Sequence, residues 1–142
     1  MSNSNSYLSL KNKHSDEVNN FPMIFAFSQE QLKEGMEKLG LTTDDTDKVV
    51  SIGTGGIIRK TDVSDFKEMF SRHSKEMKEA IEADKTGEGF ICDMFRYELA
   101  NHEYGYTGEL EDTLDALGLT YSEVISSQRL ARGLEIAKLQ IE

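Results

Sequence analysis

Residues 63–83 carry the clearest helical period of the sequence. Apolar, aromatic and histidine side chains recur there every three or four positions: Val63, Phe66, Met69, Phe70, His73, Met77 and Ile81. This spacing places them on one face of a long amphipathic helix, and that face has to pack against other elements. Methionines in such a face are typical of core packing. We therefore expect His73 to be a packed or rim histidine.

The other segments favour a helix-dominated α+β fold with about five helices and one small β-hairpin near residues 48–60. Two β-branched runs, 49–52 and 57–60, flank a glycine-rich turn, as in a hairpin. The patterns at 28–31 and 120–123 match helix capping boxes, so a helix is expected after each. The second of these is expected to be one last helix that carries apolar residues from Val124 to Ile141. A further helix is expected to end near residue 103, where the segment 105–108 breaks it.

The chain has 142 residues, a length that suits one domain. We expect a flexible tail at 1–5 and a single globular domain at 6–142. Cys92 is the sole cysteine, which excludes an internal disulfide. The first residues do not resemble a signal peptide, and the longest apolar stretch, 21–27, is far too short to span a bilayer. We therefore expect a cytoplasmic protein.

The charge is strongly acidic. The chain carries 26 acidic and 16 basic residues, and residues 79–115 hold eleven acids but only Lys85 and Arg96 as bases. Such a segment repels nucleic-acid phosphates and anionic lipid, and it attracts basic partners. The alternative interpretation is a solvated acidic surface that keeps the protein soluble.

The segment 84–95 resembles an EF-hand loop. Asp84, Gly89 and Ile91 occupy the first, sixth and eighth positions of that loop, but Phe95 stands where a bidentate glutamate closes a calcium site. We interpret the segment as a turn between two helices and expect no bound metal and no cofactor.

Residues 97–107 contain the densest group of chemically capable side chains. Glu98 and His102 lie four positions apart and share one helix face. Such a pair is able to bind a metal or to act as a base and its orienting group. With Glu103 and Tyr104, these residues are the candidates for a catalytic site. The alternative is a helix end at which His102 interacts with the helix dipole.

Residues 114–124 resemble the turn of a DNA-binding helix-turn-helix. The second helix would begin with Glu123 and has no base before Arg129, which argues against contact with DNA. An αα-hairpin is the better interpretation. The sequence has no nucleophile elbow, phosphate-binding loop, dinucleotide fingerprint or zinc spacing.

Several strings resemble an uncharacterised family of small proteins from gut Firmicutes and their plasmids and phages. The most distinctive string is 97–107, and the others lie at 25–28, 34–36, 55–60 and 83–120. The resemblance covers roughly residues 20–140. It implies a setting on mobile elements and no mechanism.

We expect a non-enzymatic acidic protein that binds the basic surface of another protein, with a counter-defence or regulatory role on a mobile element. The expected contact residues are Glu88, Glu98, Glu103, Glu109, Glu111, Asp112 and Asp115. One alternative is a small enzyme or metal protein that uses the cluster of Glu98, His102, Glu103 and Tyr104. The other is a divergent EF-hand-like protein without calcium binding. We expect no direct contact with nucleic acid or membrane, and the sequence leaves the oligomeric state open.

Overall fold

The structure is a computed structural model that describes residues 5–141. Residues 1–4, which belong to the expected flexible tail, lie outside the described residues, as does residue 142. Asn5 is described: its side chain donates to the Asp93 carbonyl oxygen at 3.1 Å and accepts from the Leu8 amide at 2.9 Å.

The predicted helix-dominated α+β class is confirmed, although the described residues form eight α-helices rather than about five. In chain order the elements are α1 (Ser6–Asn19), β1 (Ile24–Phe25), α2 (Gln29–Lys38), β2 (Val49–Gly53), β3 (Gly56–Arg59), α3 (Val63–Ala83), α4 (Phe90–Asn101), α5 (Tyr104–Thr107), α6 (Glu111–Leu117), α7 (Tyr121–Ser126) and α8 (Gln128–Gln140).

The chain divides into two compact units. We call residues 5–15 together with 75–141 the larger unit, and residues 16–74 the smaller unit. The prediction of one globular domain over 6–142 stays a prediction.

The smaller unit contains the predicted hairpin. β2 pairs with β3 in antiparallel register, with Val50 opposite Ile58, and β1 adds a third antiparallel strand on the other side of β3. Ile58 is fully buried, as befits the central strand.

α2 begins at the predicted cap, where Ser28 Oγ accepts from the Gln31 amide at 3.1 Å. His73 is buried, as expected, and its Nε2 lies 2.7 Å from Glu17 Oε1.

The core of the larger unit is built around α4. Ile91, Met94, Phe95 and Leu99 are buried to 1% exposure or less, and they are joined by buried side chains of α1, α6, α7 and α8, which include Tyr7, Leu114, Val124, Leu134 and Ala137. Phe95 lies in this core because its position repeats the helical period of the apolar face of α4.

α8 approaches α4 very closely because both contributing segments have a glycine at the contact. A Cβ at Gly133 would lie 2.5 Å from Ile91 Cγ2 and 2.8 Å from the Gly87 carbonyl oxygen. A Cβ at Gly87 would lie 2.2 Å from the Arg129 carbonyl oxygen, and the residue has a φ of +89°. Glycine alone satisfies both the spacing and the backbone angle.

Two predicted helix boundaries were wrong. α4 ends at Asn101, and residues 104–107 form one helical turn instead of a break, because Glu103 takes a left-handed conformation (φ 57°) and its carbonyl accepts from the Thr107 amide at 3.1 Å. The last helix is divided at Ser127, whose extended backbone ends α7 and whose Oγ accepts from the Leu130 amide at 3.3 Å to begin α8.

Candidate functional site

The Glu98 carboxylate is buried in the larger unit, where only 1% of its side chain is exposed. Its Oε2 accepts hydrogen bonds from the Tyr7 hydroxyl and from Lys11 Nζ, the latter at 2.8 Å. Its Oε1 accepts from Asn101 Nδ2 at 3.4 Å. α1 therefore contributes two donors to one carboxylate of α4, and each carboxylate oxygen has a partner.

Electrostatics keep this buried carboxylate ionised. Burial raises the pKa of Glu98, but the hydrogen bonds from Lys11 and Tyr7 lower it by more, so the pKa lies below its ordinary value. The pKa of Tyr7 moves in the opposite direction, through burial and through its bond to the Glu98 carboxylate. The proton of this pair stays on the phenol, and the negative charge stays on Glu98.

Aromatic rings surround the Lys11 ammonium. Its Nζ lies 5.7 Å from the ring centroid of Tyr7 and 5.1 Å from that of Tyr97. The Tyr7 ring also meets Phe90 edge-on at 5.9 Å between centroids. Ring faces stabilise a cation, so the two tyrosines reinforce the ion pair between Lys11 and Glu98.

The predicted four-residue cluster is only partly assembled. His102 Nε2 lies 3.5 Å from Glu98 Oε1, as their spacing on α4 indicated. Glu103 points to solvent at its left-handed position, and the Tyr104 ring lies under Lys138 Nζ at 5.8 Å. Cys92 is buried, and its Sγ faces Gln140 of α8 at 3.8 Å.

The sequence interpretation missed Tyr7 and Lys11. They are 91 and 87 positions away from Glu98, so no local pattern connects them to it. A general base or metal ligand needs an oxygen that substrate or ion can approach. The Glu98 oxygens are instead buried and occupied by protein donors. This geometry supports a structural role in which Glu98 fixes α1 on α4.

The acidic residues of 88–115 fall into two groups. In the first, the carboxylates have internal partners: Glu98 is buried, Asp93 lies 3.1 Å from Arg96, and Glu88 lies 2.7 Å from Arg132. Glu98 therefore cannot serve as a surface contact residue, which corrects its inclusion in that set.

The second group consists of exposed carboxylates that form no ion pair within residues 5–141: Glu103, Glu109, Glu111, Asp112 and Asp115. We call these five residues the acidic surface. Residues 97–128 contain no lysine or arginine, so no base is close in sequence to neutralise them.

The EF-hand-like segment is organised around one carboxylate. Asp84 accepts backbone hydrogen bonds from the amides of Thr86, Gly87, Gly89 and Ile91 at 2.9 to 3.2 Å. Burial raises the pKa of Asp84, but these four bonds lower it below its ordinary value. The carboxylate serves the turn itself, which supports the interpretation of this segment as a connection between two helices.

Arg129 holds the other side of the same turn. Its Nη1 donates to the carbonyl oxygens of Ile81, Glu82 and Asp84 at 2.9, 3.3 and 2.7 Å. Ile81 and Glu82 belong to the last turn of α3, whose carbonyls lack the usual partners within the helix. The Ile81 oxygen also accepts from the Asp84 amide at 3.2 Å. One side chain of α8 therefore supplies hydrogen bonds to carbonyl oxygens at the C-terminal end of α3.

The helix-turn-helix-like segment is formed by α6 and α7. Gly118 ends α6 with a left-handed φ of 69°, and the Leu119 amide returns to the Leu114 carbonyl oxygen at 2.9 Å. The predicted capping box is complete: Thr120 Oγ1 accepts from the Glu123 amide at 3.1 Å, and Glu123 Oε1 accepts from the Thr120 amide at 2.9 Å.

Comparison with known proteins identifies the chain at the level of the family. A family model described as "Family of unknown function (DUF7659)" matches residues 6–140. The chain belongs to this family. No curated protein matches it, and no solved structure matches it. Among residues 5–141, no helix combines the length and the apolar character needed to cross a membrane.

Proposed function

We propose that this protein is a non-enzymatic interaction protein whose acidic surface binds a basic surface of another protein. The observation that carries the proposal is the exposure of five carboxylates within thirteen residues of chain, 103–115, none of which forms an ion pair among the described residues. Unneutralised charges of one sign create a potential that attracts the opposite charge and repels phosphates.

The observed surroundings of Glu98 support this proposal indirectly. A catalytic carboxylate has to be reachable by a substrate, whereas the Glu98 oxygens are buried and bonded to Tyr7, Lys11 and Asn101. The carboxylates that remain accessible to a partner are those of the acidic surface. Glu88 contributes through its ion pair with Arg132, which a partner's base would have to replace.

The proposed setting is the cytoplasm of a gut Firmicute that carries the plasmid or phage encoding the protein. A basic, nucleic-acid-binding host enzyme is the class of partner that fits both the charge and this setting. An acidic protein placed in its groove would compete with the phosphates of the substrate. The role would then be counter-defence or regulation.

The test is a pull-down from host lysate with the tagged protein, at low salt and at a physiological ionic strength of about 0.15 M. The charge variant is Glu109→Gln, Glu111→Gln, Asp112→Asn and Asp115→Asn. The control variant makes the same change of charge in the smaller unit, with Glu34→Gln, Glu37→Gln, Asp44→Asn and Glu68→Gln, all at exposed positions.

We expect a basic partner that is lost with the charge variant, retained with the control variant and weakened by salt. Circular dichroism of both variants verifies that they are folded. Recovery of no partner, or of partners indifferent to salt and to the charge variant, refutes the proposal.

A further inference from the structure

An open groove lies between α6 and α7, at one side of the acidic surface. Its volume is about 370 Å³, and its lining is Leu110, Glu111, Leu114, Asp115, Leu119, Thr120 and Tyr121. Three leucines form an apolar floor, and two carboxylates of the acidic surface stand at its rim. The volume lies within the range of about 300–1,000 Å³ that is usual for binding cavities.

Tyr121 gives this groove an exposed aromatic wall. Its side chain is 57% exposed, although it is a large apolar ring. Tyrosine is enriched at the centres of protein interfaces because it supplies contact area at a low entropic cost. A smaller cavity of about 110 Å³ lies on another side of Tyr121, and its rim carries both Glu135 and Lys138. The negative character therefore belongs to the α6–α7 groove.

The walls of the groove are held in place before any ligand arrives. Leu119 is fixed by the hydrogen bond from its amide to the Leu114 carbonyl oxygen, and the capping box fixes Thr120 and the start of α7. A preorganised groove loses little conformational entropy when it binds.

We infer that this groove is the docking site for a basic amphipathic segment of a protein partner. An apolar side chain of that segment would enter between the leucines and Tyr121, and flanking lysines or arginines would pair with Glu111 and Asp115. Charge complementarity selects this occupant: an acidic segment would be repelled by the rim, and a purely basic segment would leave the apolar floor exposed to water. This inference rests on the proposed function and deepens it.

The test uses the full chain and three labelled helical peptides of equal length. The first contains leucine and lysine in an amphipathic pattern, the second replaces the leucines with serine, and the third replaces the lysines with glutamate. Fluorescence anisotropy measures the Kd of each, and amide shifts in ¹⁵N NMR spectra locate the binding. The groove variant is Tyr121→Ser, and its matched control is Tyr106→Ser, at a tyrosine that is 92% exposed and outside the groove.

We expect the leucine–lysine peptide to bind at least about tenfold more tightly than the other two and to shift the amides of Leu114, Leu119 and Tyr121. Tyr121→Ser should weaken it about tenfold, and Tyr106→Ser should leave it unchanged. Equal binding of both lysine peptides with no effect of Tyr121→Ser would overturn the groove and leave the acidic-surface proposal standing. Failure of every lysine peptide to bind would overturn the groove, while the lysate experiment decides the proposed function separately.

Discussion

Lys11 Nζ lies 2.8 Å from Glu98 Oε2, and this contact joins α1 to α4 through two residues that are 87 positions apart in sequence. Lys11 is 43% exposed in its side chain, whereas Glu98 is 1% exposed. The pair is therefore asymmetric: the base is able to reach water, and the acid is not. Removal of Lys11 would leave the buried Glu98 carboxylate without its cation. Leaving one charge of such a pair buried and unpaired destabilises a protein more than replacing the whole pair with apolar residues.

Lys11→Met is accordingly expected to lower the free energy of unfolding by about 3 kcal/mol, since it removes the cation from a buried carboxylate. Urea denaturation followed by circular dichroism measures the change. Lys13→Met is the matched control, because Lys13 is an exposed lysine of the same helix, and a change within about 0.5 kcal/mol is expected there. Equal effects of the two substitutions would contradict a structural role for the Lys11–Glu98 pair.

The stability of the protein should fall in acid through Glu98. The pKa of this carboxyl is below its ordinary value in the folded chain, so the unfolded chain binds more protons as the pH falls. Its contribution is fully present above the ordinary carboxyl pKa of about 4.3 and is lost as the pH falls through the lower folded pKa.

Glu98→Gln should therefore show a smaller loss of stability than the wild type between about pH 7 and about pH 3. The measurement is the urea midpoint across this range. Glu103→Gln, at an exposed acid, serves as the control and should keep the wild-type slope. Parallel curves for the wild type and Glu98→Gln would show that Glu98 is not linked to folding.

Gly133→Ala should destabilise the larger unit. The new methyl group would lie 2.5 Å from Ile91 Cγ2 and 2.8 Å from the Gly87 carbonyl oxygen, so α8 would have to move away from α4. We expect a loss of about 1–3 kcal/mol in the free energy of unfolding, as for other overpacked cores.

The control is Gly105→Ala in α5, where the nearest atom is 3.9 Å from the new methyl group. That change should be neutral or stabilising, because alanine favours helix. Thermal unfolding of both variants compares them, and an unaffected Gly133→Ala protein would mean that the two helices are less closely packed.

Calcium should leave the melting temperature unchanged. Asp84 already accepts four backbone amides, and Phe95, at the position of the closing glutamate, is buried in the core. Differential scanning fluorimetry in millimolar calcium and in excess chelator makes the comparison. Asp84→Asn should lower the melting temperature equally in both conditions, because the turn loses charge-assisted hydrogen bonds. A rise of several degrees with calcium in the wild type alone would identify a working site.

Local chemistry made several features predictable from sequence. The helix at residues 63–83, the N-cap at Ser28, the capping box at Thr120 and the β-branched runs around the glycine turn each depend on residues close together in the chain. The reciprocal bond of a capping box is absent at Ser28, because the Gln31 side chain accepts from the Phe27 amide instead. The proximity of Glu98 and His102 was predictable for the same reason, since one helical turn separates them. The division of the last helix at Ser127 was missed, because a serine inside a helical pattern is compatible with a continuous helix and with a cap.

The sequence by itself determined the helix-dominated class, most element positions and the acidic character of residues 79–115, because periodicity, capping and net charge are written in neighbouring residues. Only the tertiary structure decided which of those acids are available. It buried Glu98 against Tyr7 and Lys11, paired Glu88 with Arg132, used Asp84 within its own turn and left five acids of 103–115 exposed. The physical reason is that burial and ion pairing depend on which distant segments pack together, and that is a property of the whole fold.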